Sequence, residues 1–163
     1  CVLSGCYTSG TQLITADKAE YLFGSEMQYV SGETRGQLRR DGNDYLKTEG
    51  NGDPTRIRFH RIETSNFFVV EEGLNSPGLF GPWNYDLMEV VSGDTMLLHN
   101  RRCDSSLDAA FLQAGALTPQ INQNDPNGSL ECGVDSLETL IQILVSRRET
   151  TPPNTYSIVS ITP

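Results

Sequence analysis

The chain has 163 residues, with 12 Lys+Arg against 21 Asp+Glu, a net charge of -9, 37% hydrophobic residues and four cysteines. That length holds one domain, or two very small ones. The negative excess repels phosphate backbones and anionic bilayers, which argues against nucleic acid as a partner and against charge-driven membrane contact, and no apolar run approaches the roughly 18 residues that a transmembrane helix needs.

The first residues are Cys1-Val2-Leu3-Ser4-Gly5-Cys6, followed by a small, polar run from Tyr7 to Thr11. Leu3-Ser4-Gly5-Cys6 resembles a bacterial lipobox: an aliphatic residue, two small residues, then Cys. The resemblance implies a lipoprotein cleaved before Cys6, with a diacylglycerol on the Cys6 thiol and Cys1-Val2-Leu3 left from a leader. Acylation of Cys1 itself is the lesser variant. Residues 1–17 then read as signal remnant and tether, and residues 18–163 as one β-rich domain. Tyr7, where Asp would hold such a protein at the inner membrane, implies an outer-membrane anchor in a bacterial envelope, facing the periplasm. The membrane is met only through the acyl group.

From Lys18 to Asn100 short apolar runs alternate with turn signals. The runs predict strands over Ala19–Phe23, Met27–Val30, Gly36–Arg40, Asp44–Thr48, Thr55–Ile62, Phe67–Glu72, Asn84–Val91 and Thr95–His99. Asp41-Gly42-Asn43 and Ser92-Gly93-Asp94 are tight turns, and Gly50 to Pro54 is a looser one. In Arg56-Ile57-Arg58-Phe59-His60 the apolar side chains share one face and the basic ones the other. Phe67-Phe68-Val69-Val70 and Met96-Leu97-Leu98 are apolar on both faces. They need cover on both sides: helices, or a barrel interior on one side and a helix outside.

After Asn100 the period becomes helical. Leu107, Ala110, Phe111, Ala114 and Leu117 predict a helix capped by Asp104 or Ser105 and stopped by Pro119. A polar loop from Gln120 to Gly128 follows. Asp135-Ser136-Leu137-Glu138 reads as a capping box that opens a helix to about Arg148, with Leu137, Leu140, Ile141, Leu144 and Val145 as its apolar stripe and Arg147 and Arg148 in its last turn. Tyr156 to Ile161 predicts a closing strand. Cys103 and Cys132 are expected to form a disulfide worth roughly 3.5 kcal/mol, tying the last meander strand to the second helix. The fold class is mainly β with two helices, an antiparallel meander of eight or nine strands. It forms either a curved sheet or a lipocalin-like barrel with helices packed on it.

Catalytic and cofactor signals are weak. The two histidines, His60 and His99, are the only strong candidates for a general base in a hydrolase, and no Gly-x-Ser-x-Gly elbow accompanies them. No cysteine or histidine spacing suits zinc, and no glycine pattern suits a nucleotide, so no cofactor is expected. Asn122 to Gly128 resembles a calcium loop in part but lacks the closing Glu, which favours a turn-rich surface loop. Six arginines, half as many as the chain's 12 basic residues, lie between Arg35 and Arg61. Arg39, Arg56 and Arg58 are candidates for an acidic partner, against the alternative of pairing with the chain's own carboxylates. Gly73 to Trp83 reads as an aromatic loop in which Leu74, Phe80 and Trp83 are candidate contacts. The leading expectation is a non-catalytic envelope lipoprotein whose β domain binds a partner protein or a small apolar ligand. A structural docking module and a histidine hydrolase are the alternatives.

Overall fold

The computed structural model describes residues 6–146 and 152–163, with backbone alone at 76–78. Along these residues run β1 (Tyr7–Ser9), β2 (Glu26–Ser31), β3 (Thr34–Asp41), β4 (Asp44–Glu49), β5 (Thr55–Arg61), β6 (Phe67–Gly78), β7 (Gly81–Ser92) and β8 (Thr95–His99). They are followed by α1 (Ala109–Gln113), β9 (Thr118–Ile121), β10 (Leu130–Gly133), α2 (Leu137–Ser146) and β11 (Asn154–Thr162). Strands β2 to β8 form an antiparallel meander, each bonded to the next. β11 pairs antiparallel with both β8 and β2 and closes an eight-stranded up-and-down barrel. Closure satisfies both open edges of the meander. The protein is therefore mainly β with two helices, and the lipocalin-like alternative is the one adopted.

β7 belongs to two structures. Leu87 to Ser92 pairs with β8 in the barrel, while Trp83 to Tyr85 pairs with β1. β10 adds to β1 in parallel and β9 to β10 antiparallel, which makes a side sheet on the barrel wall. Alternation then divides the apolar residues into two cores. Phe59, Phe68, Val70, Met88 and Met96 fill the barrel with Phe23, Met27 and Leu38. Val69, Tyr85 and Leu87 face outward, against Tyr7, Ile14, Leu140, Ile143 and Leu144. The two-sided run Phe67 to Val70 is thus covered by lumen on one face and by the outer core, with α2 and the side sheet, on the other. The disulfide joins Cys103, just past β8, to Cys132 in β10, 29 residues apart.

Several local expectations change. Tyr7 to Ser9, expected in a tether, form a buried strand, because β7 and β10 take up their backbone groups and the Tyr7 hydroxyl donates to Asp108 at 2.7 Å. Ala19–Phe23 is not a strand: Glu20 alone bridges to Phe59, and the chain then crosses the barrel end. Gly73 to Trp83 is no loop. β6 and β7 continue to Gly78 and from Gly81, so the connection shrinks to Leu79-Phe80. The first helix is one short piece, entered through a turn capped by the Asp104 carboxylate. It is ended by Gly115 at positive φ rather than by Pro119. Pro119 lies in β9, an outer strand, where a missing donor is tolerated. α2 is capped by the Ser136 hydroxyl, which accepts the Thr139 N–H at 3.3 Å, in place of Asp135. Its buried face holds Ile143, while Val145 is exposed. Arg147 and Arg148 lie outside the described residues. Among the described residues no helix is long and apolar enough to cross a membrane.

Candidate functional site: the barrel lumen

One end of the barrel is plugged. The segment from Tyr21 to Ser25 crosses it and inserts Phe23, whose ring meets Phe59 edge-on at 5.3 Å. The Phe23 N–H donates to the Tyr45 hydroxyl, which donates to the Gly24 carbonyl. Gly24 has φ +64, and a Cβ there would collide with the Thr162 carbonyl, so the plug needs glycine. Beside the plug lies a depression of about 250 Å³ lined by Leu22, Phe68, Val90, Ile158, Ile161 and Arg61.

Above the plug the lumen holds a cavity of about 60 Å³. Its apolar wall comes from Leu38, Ile57, Phe59, Val70 and Leu98, together with Met27, Met88 and Met96. These are all three methionines of the chain. Methionine is unbranched and polarizable, so a wall built from it adapts to what it encloses.

Toward the other end the same inward faces turn polar. β4 continues inward from Tyr45 to Lys47 and Glu49, β6 from Phe68 and Val70 to Glu72, and β7 from Met88 to Asp86. Lys47 Nζ lies 2.7 Å from Glu72 Oε1 and 3.9 Å from Glu49 Oε1. Thr55 donates to Glu72 and Tyr29 to Glu49, each at 2.7 Å. Tyr29 stacks edge-on against Tyr156 at 5.4 Å. Gly36 makes this possible, because a Cβ there would occupy the Tyr29 ring. Burial opposes the charge of Lys47, but Glu72 and Glu49 outweigh it and hold the amine above the ordinary lysine range. Burial pushes the Tyr29 phenol well above its usual range, helped by its bond to Glu49. Burial also pushes the Asp86 carboxyl up to about 6, and the Glu72 carboxylate acts in the same direction.

The residues singled out from the sequence lie elsewhere and are not gathered into one site. Arg56 pairs with Asp44 at 2.9 Å and with Asp41 at 3.4 Å. Arg58 pairs with Asp44 at 2.5 Å and donates to the Ile14 carbonyl. The outward arginines of β5 are therefore used within the chain, while Arg39 is exposed on the outer face of β3. Trp83 is half-buried over Gly73, Phe80 is half-buried on Gly133 of β10, and Leu74 is half-buried. Of the aromatic residues on β5 to β7, Phe59 faces the lumen, whereas Phe67 and Tyr85 face the outer core. His60 sits outside the barrel with Nδ1 2.9 Å from the Lys18 carbonyl, and His99 lies 3.1 Å from Glu89. Asn122 and Asp125 spend their side chains on backbone N–H groups of their own loop, as a turn-rich loop requires. Among the described residues no group of three or more His, Cys, Asp or Glu is set to hold a metal ion. Cys6 is 6% exposed and its sulfur is in a disulfide, which leaves no thiol there for an acyl chain in this state.

The sequence reading missed Lys47, Glu49, Glu72 and Asp86. The available signal was an apolar period-2 face that runs into charge without changing phase, as in Phe68, Val70, Glu72. Compared with known protein families, with curated proteins and with solved structures, the chain matches none.

Proposed function

We propose that the protein is a non-catalytic binding protein that holds a small, largely apolar ligand in its barrel lumen. The carrying observation is the methionine-lined cavity that opens toward a charged collar, in a barrel whose other end is plugged. At about 60 Å³ the cavity has room for a few waters or a short apolar group, so larger occupants depend on methionine rotamers giving way. The remaining walls are closely packed, which gives specificity by shape.

The setting we propose is an exported one, in a bacterial envelope. Support comes from the Cys103–Cys132 disulfide, a bond that persists in oxidising compartments. The lipobox-like Leu3-Ser4-Gly5-Cys6 adds an acyl anchor to that proposal, and the anchor and the Cys6 disulfide compete for one sulfur. Intact mass of protein purified from its native host separates them: a diacylglycerol adduct supports the anchor, and an unmodified oxidised chain rejects it.

The binding reading is tested with a neutral apolar probe. Hexan-1-ol titrated into the protein should shift the methyl NMR resonances of Met27, Met88 and Met96 saturably, and Met88→Trp should abolish the shifts. Shifts at the outer core alone, or none, reject lumen binding.

A further inference from the structure

Resting on that reading, we infer that the collar selects a ligand carrying a protonated amine on its apolar part. Three carboxylates, Glu49, Glu72 and Asp86, face the mouth of the cavity, and one ammonium, Lys47, faces them. Lys47 is committed to Glu72 and Glu49. No ion pair among the described residues includes Asp86. Its side-chain partner is Asn84, at a long 3.4 Å.

Asn84 supplies an independent observation. It is 3% exposed and sits two residues before Asp86 on the same face of β7. Its amide nitrogen is turned toward Asp86 Oδ2, and its own Oδ1 has no hydrogen-bond partner. Buried acceptors without donors are costly, and each such group calls for an explanation. Asn84 lies behind Asp86 and adds an unpaired acceptor next to a mouth that three carboxylates already line. A carboxylate ligand would add acceptors and negative charge. An alcohol offers one donor. An alkylammonium offers three donors, no acceptor and a positive charge, at a collar where three lining carboxylates face one lining ammonium. Its hydrocarbon chain would lie along the methionine wall below. Charge-assisted hydrogen bonds in such a partly desolvated place are worth roughly twice neutral ones, enough for about tenfold in affinity.

The test compares hexylammonium, hexan-1-ol and hexanoate by calorimetry at neutral pH, using the oxidised full chain. Hexylammonium should bind at least about tenfold tighter than hexan-1-ol, and hexanoate more weakly than either. Asp86→Asn should bring hexylammonium close to hexan-1-ol and leave hexan-1-ol unchanged, and Glu72→Gln should act in the same direction. Hexan-1-ol binding as tightly as hexylammonium, or a ratio indifferent to Asp86→Asn, overturns the amine and leaves the apolar reading standing. Failure of all three ligands to bind overturns both.

Discussion

The two cores share one wall and are built differently. On the outer side Tyr7, Ile14, Val69, Tyr85, Leu140, Ile143 and Leu144 have no exposed surface. Buried carboxylates act there as ties. Glu71 Oε2 accepts the Ile14 N–H at 2.8 Å and the Tyr85 hydroxyl at 2.9 Å. Glu131 Oε1 accepts the Thr8 hydroxyl at 3.0 Å and the Leu79 N–H at 2.7 Å, which pins the tip of the β6–β7 hairpin to the side sheet. On the lumen side three methionines share the wall with other apolar residues, a cavity remains, and no ion pair among the described residues includes Asp86. Strand alternation alone separates the two: Val69 points to the first and Val70 to the second. The fold thus concentrates stability in one layer and leaves the other free to adapt.

Substitutions sharpen that contrast or break it. The largest effect is expected from removing the Cys103–Cys132 link by double replacement with Ser, which should cost about 3.5 kcal/mol for a closed loop of this length, measured by urea unfolding. Leu140→Ala in the outer core should cost about 3 kcal/mol, because the packed layer cannot collapse onto the gap. Gly36→Ala is the way to break the comparison, since it is a lumen position without slack. Displacing the Tyr29 ring should cost about 2 kcal/mol and weaken binding of hexan-1-ol, and a neutral result would mean that the collar is looser than its geometry. Met88→Leu should cost under about 1 kcal/mol while changing ligand affinity measurably.

Asp86 gives a pH signature of the lumen. Its folded pKa, about 6, lies above the ordinary carboxylate value of 3.8. Between these values the folded state holds a proton that the unfolded state has lost, so this group's contribution to stability falls as pH rises from 4 to 6. Burial raises Glu71 too, with the same sign. Asp86→Asn should therefore flatten only part of the slope and raise stability at pH 7 by about 1 kcal/mol, read from thermal unfolding across that range. An unchanged slope would place Asp86 in contact with bulk water.

Much of the barrel was legible because Ile57 and Phe59, and the two-sided runs at Phe67 and Met96, state their faces by period. The side sheet was not. Tyr7-Thr8-Ser9 is too short and polar to signal a strand, and its burial depends on partners more than 70 residues away, Tyr85 and Cys132. Pro119 concealed β9. The glycines and prolines of Gly73 to Trp83 suggested a loop, yet Gly73 and Gly81 are there so that Trp83 and the Ser9 backbone can approach closely. The collar went unseen because Glu72 and Asp86 read as solvent-facing until the meander closes around them.

The order of the strands has a consequence for how the molecule is made. β11 is the eighth stave, and β2 and β8 each keep one unpaired edge until it arrives. A nascent chain that has already completed its meander still carries two raw edges, one on either side of a gap. Those edges are templates for pairing with other chains. β11 follows the helical excursion in chain order, so sealing the gap waits on synthesis of everything between His99 and Asn154. A holdase that recognises strand edges would find its longest window at that stage.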